Sequence, residues 1–200
     1  MKKLIYVIFI VTAMMCTCSG CNNSTAKISY LHADWPYYET TDDLLEMGTD
    51  VFEGKLVNIF FNIIDISTGK PVETVNESGR SNLFLHTVYE IETTHIYKGA
   101  DTEKKYITII GGIPEYKEKE QLKLMKECSI IDEDENVIAV LPKIKELNVG
   151  SSYLFVACDL GTSYLQVPNM DQFAFEINNS QTIDDDDIPN YANIKHSLSK

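Results

Sequence analysis

Residues 50–65 read DVFEGKLVNIFFNIID, and this stretch decides the fold class. In its first half, Phe52, Gly54 and Leu56 alternate with charged residues, which is the pattern of a strand with one buried face. After Asn58 the alternation is lost and apolar residues follow one another. A β-bulge, or burial on both faces of the sheet, would explain that change. The stretch therefore predicts one long strand.

Further segments of strand length follow along the chain, separated by turn residues. Residues 83–97 form a second long candidate, and the polar stretch 72–81 before them is typical of a hairpin tip. Shorter candidates are residues 105–110, 137–141, 153–157, 164–167 and 173–177. Residues 40–48 predict a short helix with a threonine cap and a closing glycine, and residues 115–127 predict either a short amphipathic helix or an inserted loop. The pattern predicts an all-β domain, and closing its sheet into a barrel would remove exposed edges.

Several segments also follow one another in a recognisable order. They are the short helix over 40–48, then DVFEGKLV (50–57), IYKG (96–99), YITIIGG (106–112) and VGSSYLF (149–155). This order resembles the OB-like barrel of tissue inhibitors of metalloproteinases and netrin-like modules, and it is also similar to a group of Gram-positive surface lipoproteins. The resemblance covers residues 40–177. It implies a single OB-like (netrin-like) β-barrel with one or two short helices.

The inhibitory mechanism of that family is not expected here. Those inhibitors chelate a protease's zinc with a free N-terminal cysteine that packs against the barrel. In this chain Cys21 lies well before the barrel and is expected to be acylated, and the inhibitors' disulfide framework is missing.

The N-terminal residues have the three parts of a secretory signal. Two lysines are followed by an apolar run over residues 4–15 and then by small residues before Cys21. The run is shorter than the ~20 residues that a membrane-spanning helix needs. Residues 18–21 (CSGC) resemble the bacterial lipobox, which implies cleavage before Cys21 and attachment of palmitate-type acyl chains to it. Cys16 and Cys18 are alternative acceptors, and an uncleaved anchor or an ordinary cleaved signal are alternative outcomes.

These patterns divide the chain into four parts. They are a signal peptide over 1–20, a tether over 21–38, the barrel domain over 39–178 and an acidic tail over 179–200. Because two or more acyl chains anchor a protein stably, we expect it on the extracytoplasmic face of the cell membrane.

Composition excludes some classes of function. The chain has 200 residues, 44% of them hydrophobic, and a formal net charge of −13. That hydrophobic content is enough for a packed core, so the chain is not expected to be disordered. An acidic surface repels phosphate backbones, so nucleic acid is not expected as a partner.

Two groups of residues are candidates for specific roles. Cys128 and Cys158 could form one disulfide, contributing ~3–4 kcal/mol, or remain buried free thiols. Trp35, Tyr37 and Tyr38 flank a proline. These rings either cap the end of the barrel or form an exposed aromatic platform for a sugar or peptide.

No catalytic or metal-binding motif is found in the sequence. The histidines His32, His86, His95 and His196 are isolated, and His86 and His95, which have no motif around them, are expected to be partly exposed strand residues. The acidic runs 132–135 and 184–187 lack the spacing and glycine of a calcium loop, so no metal and no cofactor is predicted. We therefore expect a non-enzymatic envelope protein that binds a peptide, a glycan or another envelope protein. An accessory subunit of an envelope complex or transporter is the alternative, and a hydrolase or protease inhibitor is the third option.

Overall fold

The computed structural model describes residues 26–32, 34–72, 80–142, 144–177 and 187–200. The expected signal peptide and Cys21 lie outside the described residues, as do most of the hairpin tip and most of the acidic run 184–187. Within the described ranges, no helix combines the length and hydrophobicity of a membrane span.

The described part of the chain is mostly β-structure with short helices. In chain order the elements are β1 (Lys27–Tyr30), α1 (Thr41–Met47), β2 (Asp50–Asp65), β3 (Lys70–Pro71), β4 (Leu83–Lys98), β5 (Lys104–Ile110), α2 (Glu118–Glu127), β6 (Val137–Val140), β7 (Ser152–Ala157), β8 (Leu165–Gln166), β9 (Ala174–Glu176) and α3 (Tyr191–Ser197). The prediction of a mainly β chain is confirmed, and the segment 115–127 contains a helix rather than an irregular loop.

The main sheet is built around the two long strands. Its strand order is β8-β5-β4-β2-β7-β9, with β3 beside β2. Strand β2 pairs antiparallel with both β4 and β7, whereas β8 runs parallel to β5. In the described residues the two end strands are not paired with each other, so the sheet is open there.

Register shifts bend β2 against β4. One of them falls between Leu56 and Asn58, where the sequence loses its alternation, as predicted. Beyond it, Ile63 and Ile64 are both buried, so both faces of the strand are covered there. Gly54 lies at another shift, and a Cβ atom there would come within 2.7 Å of the Glu92 carbonyl oxygen. The missing side chain therefore permits the close approach of the two strands.

The expected tether is wrong over Lys27–Tyr30. This segment is β1, which pairs in parallel with β6 so that Ile28 lies opposite Ile138. Ile28 packs against an apolar cluster that contains Ile138. The segment is thus ordered by pairing and packing against a strand more than a hundred residues away.

The apolar side chains of the described residues form three clusters. The first, between the inner faces of β2, β4, β5, β7 and β9, includes Phe52, Leu56, Tyr89, Ile91, Ile107, Ile109, Phe155 and Phe173. The second packs α2 and β6 against the far ends of β2 and β4 and includes Phe61, Ile63, Leu83, Leu85, Met125 and Ile138. The third packs α1 and α3 against the other end of the sheet and includes Tyr38, Leu44, Val51, Leu154, Val156, Phe175 and Ile194.

Helix α3 lies in the segment that was expected to be an acidic tail. Asn190 caps it, its Oδ1 accepting the Asn193 N–H at 2.9 Å. Ile194 is completely buried in the third cluster. The tail prediction is therefore wrong over Tyr191–Ser197, because Ile194, with Tyr191 and Leu198 beside it, packs in the third cluster and Asn190 caps the helix.

Candidate ligand-binding cleft

Two side chains from the loop before β9 fix the backbone of residues 36–38. Asn169 Nδ2 donates to the Pro36 carbonyl oxygen at 2.6 Å. Gln172 Nε2 donates to the Tyr38 carbonyl oxygen at 2.7 Å, and Gln172 Oε1 accepts the Tyr38 N–H at 2.9 Å. The Tyr38 side chain is buried in the third cluster, whereas Tyr37 is 67% exposed. We call the two hydrogen bonds between Gln172 and Tyr38 the Gln172 clamp. Of the two tyrosine rings in this segment, only that of Tyr37 is exposed to solvent.

The Tyr37 ring lines a cleft of about 590 Å³. The other walls come from the loop 145–148 with Tyr153, from the segment 171–176 and from residues 188–190. Aromatic, amide, carboxylate and ammonium groups thus converge on one concave surface.

The loop 145–148 is fixed by contacts with the first cluster and with β7. Leu147 is buried in the first cluster, and the Asn148 N–H donates to the Tyr153 hydroxyl oxygen at 2.9 Å. Between these anchors and β9, the Lys145 ammonium lies 5.2 Å from the centroid of the Phe175 ring. Such a cation–π contact supports a lysine whose stem is partly buried.

Lys145 is the electrostatic feature of the cleft. Burial lowers the pKa of its ammonium, and the nearby carboxylates of Asp171 and Glu176 oppose that shift only in part. Among the described residues, none forms an ion pair with the Lys145 nitrogen within 4.0 Å. The charge is therefore held near carboxylates without being neutralised by contact.

The cleft wall formed by residues 188–190 is connected to α1 through Asp187. The Asp187 carbonyl oxygen accepts two hydrogen bonds from Thr41, from its N–H at 2.9 Å and from its hydroxyl at 3.0 Å. Asn190, three residues on, lines the cleft and also caps α3. The segment that follows the acidic run is thus positioned by a helix near the start of the domain.

The predicted aromatic platform is corrected by this arrangement. Tyr37 is exposed and lines the cleft, and Trp35 is 37% exposed but is not one of the lining residues. Tyr38 is only 9% exposed and belongs to the core. The three rings do not form one exposed platform, because the Tyr38 ring packs in the third cluster.

The predicted disulfide is not formed. Cys128 and Cys158 are both buried free thiols. Cys128 packs in the second cluster at the end of α2, and Cys158 Sγ donates to the Met47 carbonyl oxygen at 3.4 Å at the end of α1. They pack against different helices, so the alternative of two buried thiols applies.

The prediction that His86 is partly exposed is wrong, because its exposed fraction is only 6%. Its Nδ1 lies 3.2 Å from Thr108 Oγ1, and its Nε2 has no hydrogen-bond partner among the described residues. Burial lowers the pKa of this imidazole to about 4. His32, His95 and His196 are exposed. Within the described ranges, no three His, Cys, Asp or Glu side chains are placed to hold a metal ion.

Sequence reasoning missed most of the cleft. Lys145, Gln172, Glu176 and Asn190 stand in segments without a motif, and only the ring-rich stretch around Tyr37 marked the site. Their convergence depends on contacts between segments that are far apart in the chain.

No protein-family model matches the chain, and no curated protein matches it.

Proposed function

We propose that the protein is a lipid-anchored, non-catalytic binding module of the cell envelope, with a peptide or glycan ligand in the cleft beside Tyr37. The observation that carries the proposal is the exposed Tyr37 ring at a fixed cleft of about 590 Å³. A cleft of this size, with an aromatic face and a few converging polar groups, is typical of small-ligand sites. The clamp by Gln172 fixes the backbone of Tyr38, next to this ring, before ligand binding, which lowers the entropic cost of association.

Lipid attachment at Cys21 is the part of the proposal that rests on the leader. The lipobox-like residues 18–21 support it. It is tested by intact-mass spectrometry of the protein isolated from membranes, with Cys21→Ser as the comparison. A wild-type chain that begins at Cys21 and carries diacylglycerol mass is expected, and the variant should lose that mass. An uncut leader, or a start elsewhere without lipid, would refute the anchoring.

We further infer that the sheet is a partly open OB-like barrel. The long, bent strand β2 is shared between β4 and β7, and the first cluster fills the space between their inner faces, as in barrels of this kind. The unpaired ends of the sheet are the feature that a closed barrel would lack. Fold alone implies no activity, so the functional proposal depends on the cleft.

The binding proposal is tested with the full chain in detergent micelles. A panel of cell-envelope glycans and peptides is titrated against the wild type, Tyr37→Ala and Tyr30→Ala. Tyr30 is a matched control, because it is 61% exposed on β1 and does not line the cleft. At least one panel member should bind the wild type and the Tyr30 variant but bind Tyr37→Ala about tenfold more weakly. Equal binding to all three proteins would refute a role for the cleft.

A further inference from the structure

The cleft contains a cation that lacks a contacting counter-charge. Lys145 is the single lysine or arginine among the lining residues in the described part of the chain. Its ammonium rests over Phe175 at 5.2 Å and forms no ion pair there within 4.0 Å. A half-buried ammonium has lost part of its hydration, so an anionic group that enters the cleft would gain a charge-assisted hydrogen bond.

The surrounding charges restrict which anion can enter. Glu146, Asp171 and Glu176 also line the cleft, and all three are exposed. Three carboxylates against one ammonium give the cleft a net negative charge, which repels a ligand that is only anionic. A neutral sugar would leave Lys145 without a counter-charge. A ligand that carries both a carboxylate and a cationic group matches both signs.

We propose that the cleft binds a short peptide whose terminal carboxylate contacts Lys145, while Asp171 and Glu176 receive a cationic group of the same ligand. The Tyr37 ring, which is 67% exposed, lines the same cleft and offers an apolar face to the peptide's side chains. The inference rests on the proposed binding function and selects peptide over glycan as the ligand class.

The test uses the isotope-labelled full chain in detergent micelles. It is titrated with a pool of tripeptides that have free C-terminal carboxylates, and separately with the same pool as C-terminal amides. Binding is followed by the backbone resonances of residues 145–148 and 171–176. The free-acid pool should shift these resonances, and the amide pool should bind about tenfold more weakly or not at all.

Variants of the lysine separate charge from packing. Lys145→Met keeps the aliphatic stem and should lose the preference for the free acid, whereas Lys145→Arg should retain it. Lys117→Met is the matched control, because the Lys117 ammonium also lies 5.2 Å from a ring centroid, that of Tyr116, but outside the cleft. This control should bind both pools as the wild type does.

The outcomes distinguish this inference from the function on which it rests. Equal binding of acids and amides, or an unchanged preference in Lys145→Met, would overturn the assignment of the carboxylate to Lys145. If neither pool binds but a glycan binds in a Tyr37-dependent manner, the binding function stands and the peptide assignment fails. If no peptide and no glycan binds, both are refuted.

Discussion

Gln172 holds the backbone of Tyr38 with both ends of its side-chain amide, although the two residues are 134 positions apart in the sequence. Gln172 is 6% exposed, so both hydrogen bonds are shielded from water. The two hydrogen bonds have the pattern of a residue pair in a β-sheet, with the side-chain amide of Gln172 in place of a second backbone. They join the segment before α1 to the loop before β9, directly beside Tyr37.

Replacing Gln172 by leucine should destabilise the domain and disorder the cleft. The substitution leaves the N–H and carbonyl of Tyr38 buried without partners, at about 1–3 kcal/mol for each group. We expect the free energy of unfolding, measured by urea denaturation, to fall by about 2–6 kcal/mol. Gln166→Leu is the control, because the Gln166 amide makes only long contacts of 3.4 and 3.5 Å. A Gln172 variant as stable as this control would contradict the clamp.

His86 should make the stability of the domain depend on pH. Its folded pKa of about 4 is below the value of about 6.5 expected in the unfolded chain, so the unfolded state binds more protons between these values. The stabilisation is complete above pH ~6.5 and is lost as the pH falls towards about 4, a total of about 3 kcal/mol. Urea unfolding of the wild type and His86→Leu at several pH values measures the contribution of His86 to the free energy of unfolding.

The control for this experiment separates burial from hydrogen bonding. Thr108→Val removes the hydroxyl that lies 3.2 Å from His86 Nδ1 but leaves the ring buried. Because burial causes the pKa shift, this variant should keep the wild-type pH dependence, and His86→Leu should lose it. The interpretation is wrong if both variants follow the wild-type curve.

The long strands could be predicted because their signal is local. The alternation around Phe52 and its loss after Asn58 indicate which faces of the strand are buried. They predict β2 and the bulge within it. Helix α3 and strand β1 could not be predicted in this way. Ile194 and Ile28 stand in short segments without a clear strand or helix period, and they are buried by packing against distant elements.

The cleft was predictable only at one point. Tyr37 stands in a stretch that is rich in rings, which are uncommon in free tethers. The role of Lys145 depends on Phe175, which lies 5.2 Å from its ammonium but thirty positions away in the sequence. No spacing rule joins these two residues, because the loop and β9 meet only after the sheet has formed.

The buried ion pair between Asp50 and Lys105 should be costly to break from one side. The Lys105 nitrogen lies 2.6 Å from Asp50 Oδ1, with side-chain exposures of 5% and 6%. Asp50→Asn removes the counter-charge and should destabilise the domain by about 3–5 kcal/mol in urea unfolding.

The double variant Asp50→Leu, Lys105→Met provides the control for that prediction. It removes both charges, so no buried ammonium is left uncompensated, and replacing such a pair with apolar side chains is often nearly neutral. We expect the double variant to be more stable than Asp50→Asn. The prediction fails if the double variant is no more stable than Asp50→Asn.

Helix α3 is joined to the sheet by a second, more exposed ion pair. The Lys195 ammonium lies 2.9 Å from Glu53 Oε1 and also contacts the Tyr97 hydroxyl. The Tyr97 hydroxyl donates to the same Glu53 oxygen at 2.9 Å. Burial alone would raise the pKa of Glu53, but the hydrogen bonds from Lys195 and Tyr97 outweigh it and lower the pKa.

The lowered pKa of Glu53 predicts that α3 is bound less strongly in acid. A carboxyl whose pKa is lower in the folded state contributes stability above its unfolded pKa, and that stability is lost as the pH falls through the folded pKa. Because the Lys195 side chain is 37% exposed, solvent screening limits the contribution to about 1 kcal/mol. A double-mutant cycle with Glu53→Gln and Lys195→Met, measured by urea unfolding, should give this coupling at neutral pH and almost none in acid, once the pH has fallen below the lowered pKa of Glu53. A coupling that is equal at both pH values would show that the contact holds the helix by packing rather than by charge.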